Sequence, residues 1–256
     1  MARPVRFLQD AVADEVMERL GEINRTFSSP AIITGWPEIW SNRLSGARVV
    51  ADHENLELDP GAHDLIVHAL CLHWANDPVG QLIQARRALR PDGLLVAASF
   101  GGRTLKELRA ALAESECATA GGLSPRILPM GEIRDLGALL QRAGFALPVA
   151  DSQIRTATYR DIWSLMRDLR GMGETNAMAT RRRVPVRREL FAEADSRYRA
   201  GFGMPDGRLP ATYEIVWLTG WTPHESQQKP LRPGSAKARL SDALQDSGRR
   251  PVSEAD

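Results

Sequence analysis

Two uncharged apolar runs, with an amphipathic segment between them, dominate the hydrophobic pattern of the chain. The first run covers residues 65–70 and the second covers residues 94–100. Between them, Pro78 suits the first turn of a helix, and apolar residues follow at helical spacing as far as Leu89. Strands without charged residues are typical of parallel sheets, which are buried on both faces. The pattern therefore predicts a parallel β-α-β unit at the centre of an open α/β sheet.

Shorter patterns predict the elements around this unit. Residues 91–93 (Pro-Asp-Gly) are expected to form a turn, and Thr104 with Glu107 has the T-x-x-E spacing of a helix capping box. Asp161 can cap a further helix. The other predicted elements are helices at residues 6–25, 104–117, 131–143, 162–169 and 188–199, and strands at residues 31–34, 47–51, 153–159 and 211–221.

We expect one α/β domain with additions at both ends. The predicted parts are an N-terminal helix at residues 1–28, an α/β core at 29–150, a C-terminal extension packed on the core at 151–226, and a polar, largely disordered tail at 227–256. Apolar residues make up 43% of the chain and charged residues 25%, as in ordinary globular proteins. The net charge of +1 does not favour nucleic acid as the principal partner.

The cysteines and the termini set expectations about compartment. Cys71 and Cys117 lack the C-x-x-C spacing of a zinc or redox motif, which predicts reduced thiols and no metal site. No apolar run approaches the roughly 18–20 residues that a membrane-spanning helix needs. The first residues lack the apolar stretch of a signal peptide. We therefore expect a soluble protein in the cytoplasm, while the oligomeric state is not determined by the sequence.

Residues 51–93 and the stretch FGGRTLKELR at 100–109 resemble class I S-adenosylmethionine-dependent methyltransferases. The resemblance is to the branch that contains the biotin-pathway malonyl-carrier-protein methyltransferase and a mitochondrial complex I assembly factor thought to hydroxylate an arginine. It covers most of residues 48–235. It implies a reduced Rossmann-like methyltransferase sheet, with helices on both faces and an α+β C-terminal extension. The likeness to the assembly factor continues through GGLSP, RAGF, LMRDLRGMGETN, LPATYEIVWLTGW and HESQ.

The resemblance implies an S-adenosylmethionine site at the carboxyl ends of the strands. In such families the acidic position after the third strand contacts the adenine, and here that position is Asp52, followed by His53. The segment after the fourth strand lies beside the sulfonium and the substrate, which implies roles for Leu70, His73 and Trp74. An aromatic face attracts a sulfonium cation. The alternatives are that Asp52-His53 is a solvated turn, that Trp74 covers the end of the sheet and that His73 is structural.

The glycine-rich loop that follows the first strand in these enzymes is altered in this chain. Residues 32–40 retain only Gly35, and they place Trp36 and Pro37 where small residues let the backbone approach the cofactor. The family's next strand, whose acidic end binds the ribose, and the helix after it have no counterpart at residues 44–48.

The sequence does not identify catalytic residues. His73, His224 and Glu225 are the candidates, because a histidine near a carboxylate can transfer protons; for the last two, a structural contact of the tail is the alternative. The arginine-rich stretch at residues 181–188 could dock an acidic partner or a phosphate, or could be a solvated face.

Three functions remain open at this point. The first is S-adenosylmethionine-dependent methyl transfer, with the cofactor near Asp52 and Trp74. The second is an assembly factor or arginine hydroxylase that acts on a respiratory-complex subunit or another acceptor protein. The third is a non-catalytic binding scaffold, in which Trp36 or Trp40 fills the former cofactor cleft.

Overall fold

The computed structural model of the chain describes residues 4–228. The described residues as far as His224 belong to one compact unit, and Glu225 begins a second. The predicted disordered tail at residues 227–256 lies, except for its first two residues, outside the described part. Within residues 4–228, no helix is both long and apolar enough to cross a membrane.

Six strands form one sheet in the order β2-β1-β3-β4-β6-β5. The strands β1 to β4 are parallel, whereas β6 runs antiparallel to both of its neighbours. The predicted parallel β-α-β unit is confirmed as β3, α2 and β4. The strand bounds are β1 Pro30–Ile33, β2 Arg48–Val50, β3 His63–His68, β4 Leu89–Phe100, β5 Ala146–Tyr159 and β6 Leu209–Trp221. The helix bounds are α1 Phe7–Glu22, α2 Pro78–Ala88, α3 Lys106–Ala120, α4 Ile133–Arg142, α5 Ile162–Gly171 and α6 Arg188–Phe202.

Helices cover both faces of the sheet, as the α/β prediction required. Alternate residues of each buried strand enter two separate cores: Leu65 and Val67 face one side, and Ile66 faces the other. The first core packs against α1, α3, α5 and α6, and the second packs against α2 and α4. Burial on both faces explains why residues 65–67 of β3 and 94–100 of β4 carry no charged side chain.

The segment between β1 and β2 is short. Residues 34–47 contain a single 3-10 turn, Pro37–Ile39, and no further strand, so that β2 pairs directly with β1. The sheet is therefore reduced at this edge, as the sequence predicted. On its other side, residues 146–159 and 209–221 supply β5 and β6 of the same sheet.

The predicted capping box at Thr104 and Glu107 is wrong. Helix α3 begins at Lys106, after Leu105 in the left-handed region. The Thr104 hydroxyl donates to the Glu214 carbonyl at 3.2 Å, and the Glu107 carboxylate accepts from the Thr212 backbone N–H at 3.2 Å. Both side chains bond to β6 because these contacts satisfy buried polar groups of the strand. A local sequence pattern is overridden here by tertiary contacts.

The separate turn predicted at residues 91–93 is not formed. These residues lie within β4, and Asp92 has a φ of 61°. The Thr222 N–H donates to the Gly93 carbonyl at 2.8 Å, and the Asp92 N–H donates to the Thr222 carbonyl at 3.2 Å. The irregular start of β4 is therefore held by the end of β6. This contact cannot be read from the local sequence.

Candidate functional site at the carboxyl ends of the parallel strands

The carboxyl ends of three parallel strands meet at one edge of the sheet. Ile33 at the end of β1 is in register with His68 of β3, and His68 is in register with Ala97 of β4. The chain segments that leave these ends carry the residues predicted to bind the cofactor. Ligands of open α/β sheets lie at this edge, beyond the strand ends.

Two predicted cofactor residues lie side by side near the end of β1. A Cβ atom added to Gly35 would lie 3.8 Å from the Asp52 Oδ1 atom. The Thr34 N–H donates to the Val50 carbonyl at 3.0 Å, which joins the two segments. Asp52 is half-buried and His53 is exposed. The structure therefore brings Gly35, the glycine retained from the loop, next to Asp52, the residue that the family resemblance places against the adenine.

The methionine side of a family cofactor site is not reproduced. Trp40 is only 2% exposed and belongs to the first core, and Trp36 packs against the same core. The Thr34 Oγ1 atom accepts from the Trp36 N–H at 3.0 Å, and a 3-10 turn follows. Bulky side chains and a closed turn replace the small residues whose backbone would approach the cofactor. These residues do not fit S-adenosylmethionine in the family's usual binding mode.

His73 and Trp74 meet a carboxylate from a distant part of the chain. The His73 Nε2 atom lies 3.2 Å from Glu174 Oε1 and 3.3 Å from Oε2. The Trp74 Nε1–H donates to Glu174 Oε1 over 3.4 Å. The His73 ring also packs against Phe100 at the end of β4, with the ring centroids 4.7 Å apart. Two predicted residues of the site edge, His73 and Trp74, are therefore joined by one acidic residue that the sequence analysis did not select.

The end of α5 explains how Glu174 reaches this position. Helix α5 ends at Gly171, and Gly173 adopts a φ of 85°, where a side chain would be strained. The Glu174 N–H then donates back to the Leu169 carbonyl at 2.9 Å. This turn directs residue 174 towards the sheet.

A cavity of about 290 Å³ opens beside this cluster. His73 and Phe100 line it from the sheet side, and residues 128–131 and the start of α4 form its opposite wall. Most of its lining is apolar, and Asp135 is the only Asp, Glu, Lys or Arg among its lining residues. Small-molecule and side-chain sites are typically apolar clefts with a few placed polar groups, which is the character of this cavity.

A buried polar network joins the end of β3 to α2 and to the segment after β2 at the same edge. His68 is completely buried, and its Nε2 atom lies 2.8 Å from Gln81 Oε1. Gln81 Nε2 in turn donates to the His53 carbonyl at 3.1 Å, and the Cys71 thiol lies 3.3 Å from His68 Nδ1. Burial lowers the pKa of His68 to about 4 and raises the pKa of the Cys71 thiol. The histidine is therefore neutral at pH 7 and serves as a structural hydrogen-bond partner.

Leu70 occupies the strained start of the segment after β3. Its φ is 51°, in the left-handed region that a leucine rarely adopts, and its side chain is 5% exposed. The neighbouring Ala69 N–H donates to the Ile33 carbonyl at 2.9 Å. The backbone at the predicted cofactor residue is thus held by packing and by β1, as strained residues near functional sites commonly are.

The candidate His224 lies at the other end of the sheet from this cluster. His224 is exposed and follows β6, whose last residue, Trp221, pairs with Leu94 near the amino-terminal side of the sheet. Glu225 is exposed in the second unit. Catalytic roles for His224 and Glu225 remain predictions. The arginine-rich stretch at 181–188 lies in the connection between α5 and α6, mostly exposed. No group of three or more metal-ligating side chains is formed within residues 4–228.

Comparison with known proteins identifies the class to which this fold and site belong. A methyltransferase domain family matches residues 32–97. A solved structure from Bacillus halodurans C-125, described as that of a methyltransferase, superposes with a TM-score of 0.50 over 82% of this chain and 98% of its own, at 11% identity, which shows the fold alone. Residues 32–97 therefore match a methyltransferase domain, and the fold around them is that of methyltransferase structures.

Curated relatives are more similar in sequence. The mitochondrial arginine-hydroxylase NDUFAF5 of Homo sapiens is 43% identical over 188 residues, which cover 73% of this chain and 54% of the relative. The malonyl-[acyl-carrier protein] O-methyltransferase of Laribacter hongkongensis is 39% identical over 188 residues, covering 73% of this chain and 61% of the relative. The chain therefore spans only about half to three-fifths of the length of these relatives.

Proposed function

We propose that this chain binds a subunit of a respiratory complex and modifies an arginine side chain of that subunit at the carboxyl-terminal edge of the sheet. The proposal is supported by the identity with relatives named as arginine-hydroxylases, 40% for that of Danio rerio and 43% for that of Homo sapiens. A cytoplasmic location of the chain is part of the same proposal.

The observation that carries the proposal is the position of Glu174. This residue belongs to the stretch at 165–176, one of those through which the likeness to the assembly-factor branch continues. Its carboxylate lies against His73 and Trp74, at the edge where ligands of this fold bind. The likeness therefore includes residues of the site as well as residues of the scaffold. A carboxylate next to an aromatic ring also suits a guanidinium group, which combines charge, hydrogen-bond donors and a planar face.

S-adenosylmethionine-dependent methyl transfer is the second candidate function. The contact of Gly35 with Asp52 and the similarity to an O-methyltransferase favour it. The bulky residues that replace the glycine loop favour arginine modification instead. They fill the region where the methionine part of S-adenosylmethionine would lie. Calorimetric titration with S-adenosylmethionine separates the two, since only methyl transfer requires this cofactor.

Peptide mass spectrometry of the respiratory complexes tests the proposal. The complexes would be purified from cells of the source organism with and without the gene. We expect one arginine of a complex subunit to be hydroxylated only when the chain is present. In that reaction one atom of dioxygen enters a C–H bond, and the other leaves as water with two electrons from an external reductant. An added methyl group would favour the second candidate, and association with the subunit without any modification would favour a scaffold. If the chain neither associated with a subunit nor changed any of its arginines, the proposal would be contradicted.

A further inference from the structure

Strand β5 forms one edge of the sheet, with β6 on its inner side. Its outer backbone groups face no other strand among residues 4–228. The opposite edge strand, β2, has three residues, whereas β5 has 14. Proteins commonly shorten, bend or charge their edge strands, because open backbone donors and acceptors pair readily with a further strand. A long open edge therefore indicates a surface that another strand can join.

Local features limit the open edge at both ends of β5. At the amino end, Leu147 has a φ of 49°, Pro148 has no backbone N–H to donate, and the register with β6 shifts. At the carboxyl end, the Arg208 guanidinium donates to the Thr158 carbonyl at 2.7 Å and to its hydroxyl at 2.8 Å. Between these features, residues 149–157 pair with β6 in an unbroken register. This regular stretch is the part of the edge on which another strand can pair.

The charges of this stretch are placed symmetrically about its middle residue, Gln153. Asp151 and Arg155 are the two charged residues of β5, and they lie two residues before and two residues after Gln153. Asp151 accepts from Arg19 at 2.7 Å, and Arg155 lies 3.8 Å from Glu15. Their side chains nevertheless remain 43% and 36% exposed. A second β5 strand, paired antiparallel about Gln153, places an aspartate opposite an arginine at two positions.

The pleat of the sheet allows few registers for β5 paired with itself. Residues directly opposite each other point to the same face, so a twofold pairing must be centred on a residue. Moving the centre by one residue from Gln153 places Asp151 opposite Gln153 or Ala157, and no longer opposite Arg155. Opposite charges that face each other across two strands stabilise the pair, whereas like charges destabilise it. The charge pattern therefore selects the register centred on Gln153.

The same register covers exposed apolar side chains. Val149 and Ile154 are exposed in the single chain. In the paired strands Val149 lies opposite Ala157 of the second copy. The two Ile154 side chains become diagonal neighbours on the other face, at a separation that long side chains bridge. The pairing thus adds apolar contacts to the backbone hydrogen bonds and the charge pairs.

We propose that two copies of this chain associate through their β5 strands, antiparallel about Gln153, and form one continuous sheet. Each copy contributes the backbone groups of residues 149–157 and one half of each Asp151–Arg155 pair. The partner is a second copy because the strand is complementary to itself: its regular stretch and its two charges share one midpoint. The inference goes beyond the proposed function, since β5 carries none of the residues of the candidate site.

Analytical ultracentrifugation of the full chain tests the association. A single strand pair is a small interface, so we expect a micromolar Kd and a measurable transition between about 1 and 200 μM. The mass should rise over this range from 28.2 kDa towards twice that value. A mass that stays at 28.2 kDa at the highest concentration would overturn the proposal.

Two charge-reversed variants test the register. In a dimer of Asp151→Lys, cations face each other at both positions, and in a dimer of Arg155→Glu, carboxylates do. We expect each variant alone to dimerise at least tenfold more weakly than the wild type. An equimolar mixture of the two has opposite charges at both positions again, and should recover dimers that contain one chain of each kind. Recovery would also show that both variants are folded.

A matched control separates the charge pairs from the net charge of the chain. Glu189→Lys makes the same change of charge as Asp151→Lys at an exposed position of α6, and should leave the Kd unchanged. If Asp151→Lys and Arg155→Glu each dimerised as tightly as the wild type, the register about Gln153 would be refuted. A mixture of two folded variants that stayed monomeric would refute it as well.

Cysteine cross-linking tests the same register without changing a charge. In a chain whose exposed Cys117 is replaced by alanine, Gln153→Cys places the thiols of the two copies opposite each other, with Cβ atoms about 4.5–5.5 Å apart. Thr156→Cys, at an exposed position of the same strand, separates them by six residues, or about 20 Å. With a short bismaleimide we expect a cross-linked dimer for Gln153→Cys and none for Thr156→Cys. No cross-link for Gln153→Cys, or equal cross-linking of the two variants, would reject the proposal.

Discussion

The buried histidine His68 makes the stability of the fold depend on pH. Its pKa is lowered to about 4 in the folded chain by burial, against an ordinary value of 6.5. The difference of about 2.5 pH units, at about 1.36 kcal/mol for each unit, amounts to roughly 3 kcal/mol. Because the folded pKa is depressed, the unfolded chain binds the proton first. The stabilisation is therefore fully present above about pH 6.5 and is lost as the pH falls towards 4.

Thermal unfolding of the wild type and of His68→Gln at several pH values measures this pH-dependent stabilisation. We expect the wild type to lose up to roughly 3 kcal/mol between pH 7.5 and 4.5 through this residue, equivalent to about 6–12 °C in melting temperature for a chain of this size. The variant should lose correspondingly less over the same range. Asp64, Glu116 and Asp161, whose pKa values are lowered, lose their contribution at more acidic pH in both proteins.

The test compares how steeply the free energy of unfolding falls with pH in the two proteins, and not the free energies themselves. His68→Gln is expected to be less stable than the wild type at pH 7.5, because Gln81 and Cys71 lose a partner, and this difference should shrink as the pH falls. Parallel curves for the two proteins between pH 7.5 and 4.5 would refute the assignment of a neutral, buried His68.

Three further substitutions probe the first core and the two ends of α5. Trp40→Ala, at a position that is 2% exposed, should destabilise the fold by about 3–5 kcal/mol in urea unfolding; a loss below about 1 kcal/mol would mean that Trp40 does not fill the core. Asp161→Ala removes the cap at which the Ser164 N–H donates to Asp161 over 2.7 Å, and should cost about 1 kcal/mol by the same measurement, while no change would show the cap to be dispensable. Gly173→Ala, at a φ of 85°, should cost roughly 1 kcal/mol and displace Glu174, seen as altered His73 ring signals; unchanged signals would show that the glycine does not place Glu174.

The sequence predicted those parts of the fold that are determined by local pattern. The uncharged runs at 65–70 and 94–100 gave the central parallel strands, because burial on both faces leaves a direct mark on composition. The proximity of Gly35 and Asp52 was also predictable, since each lies two residues after a strand and the carboxyl ends of these strands are neighbours.

The parts that the sequence could not predict depend on contacts between distant residues. Glu174 lies 101 residues from His73 in the chain, and its stretch has the composition of a loop. The capping pattern of Thr104 and Glu107 misled because β6, more than 100 residues away, offers both side chains better partners. Buried networks of this kind follow from the tertiary fold and leave no periodic signal.

The most direct test of the account is the modification state of arginines in the respiratory complexes of cells that carry chain variants. Peptide mass spectrometry would compare the wild type with His73→Phe and with the matched control Glu189→Gln, after western blots have shown equal amounts of each chain. The account predicts that one modified arginine is present in the wild type and the control and is lost, or reduced at least tenfold, in His73→Phe. An equal level of that modification in all three strains would contradict it.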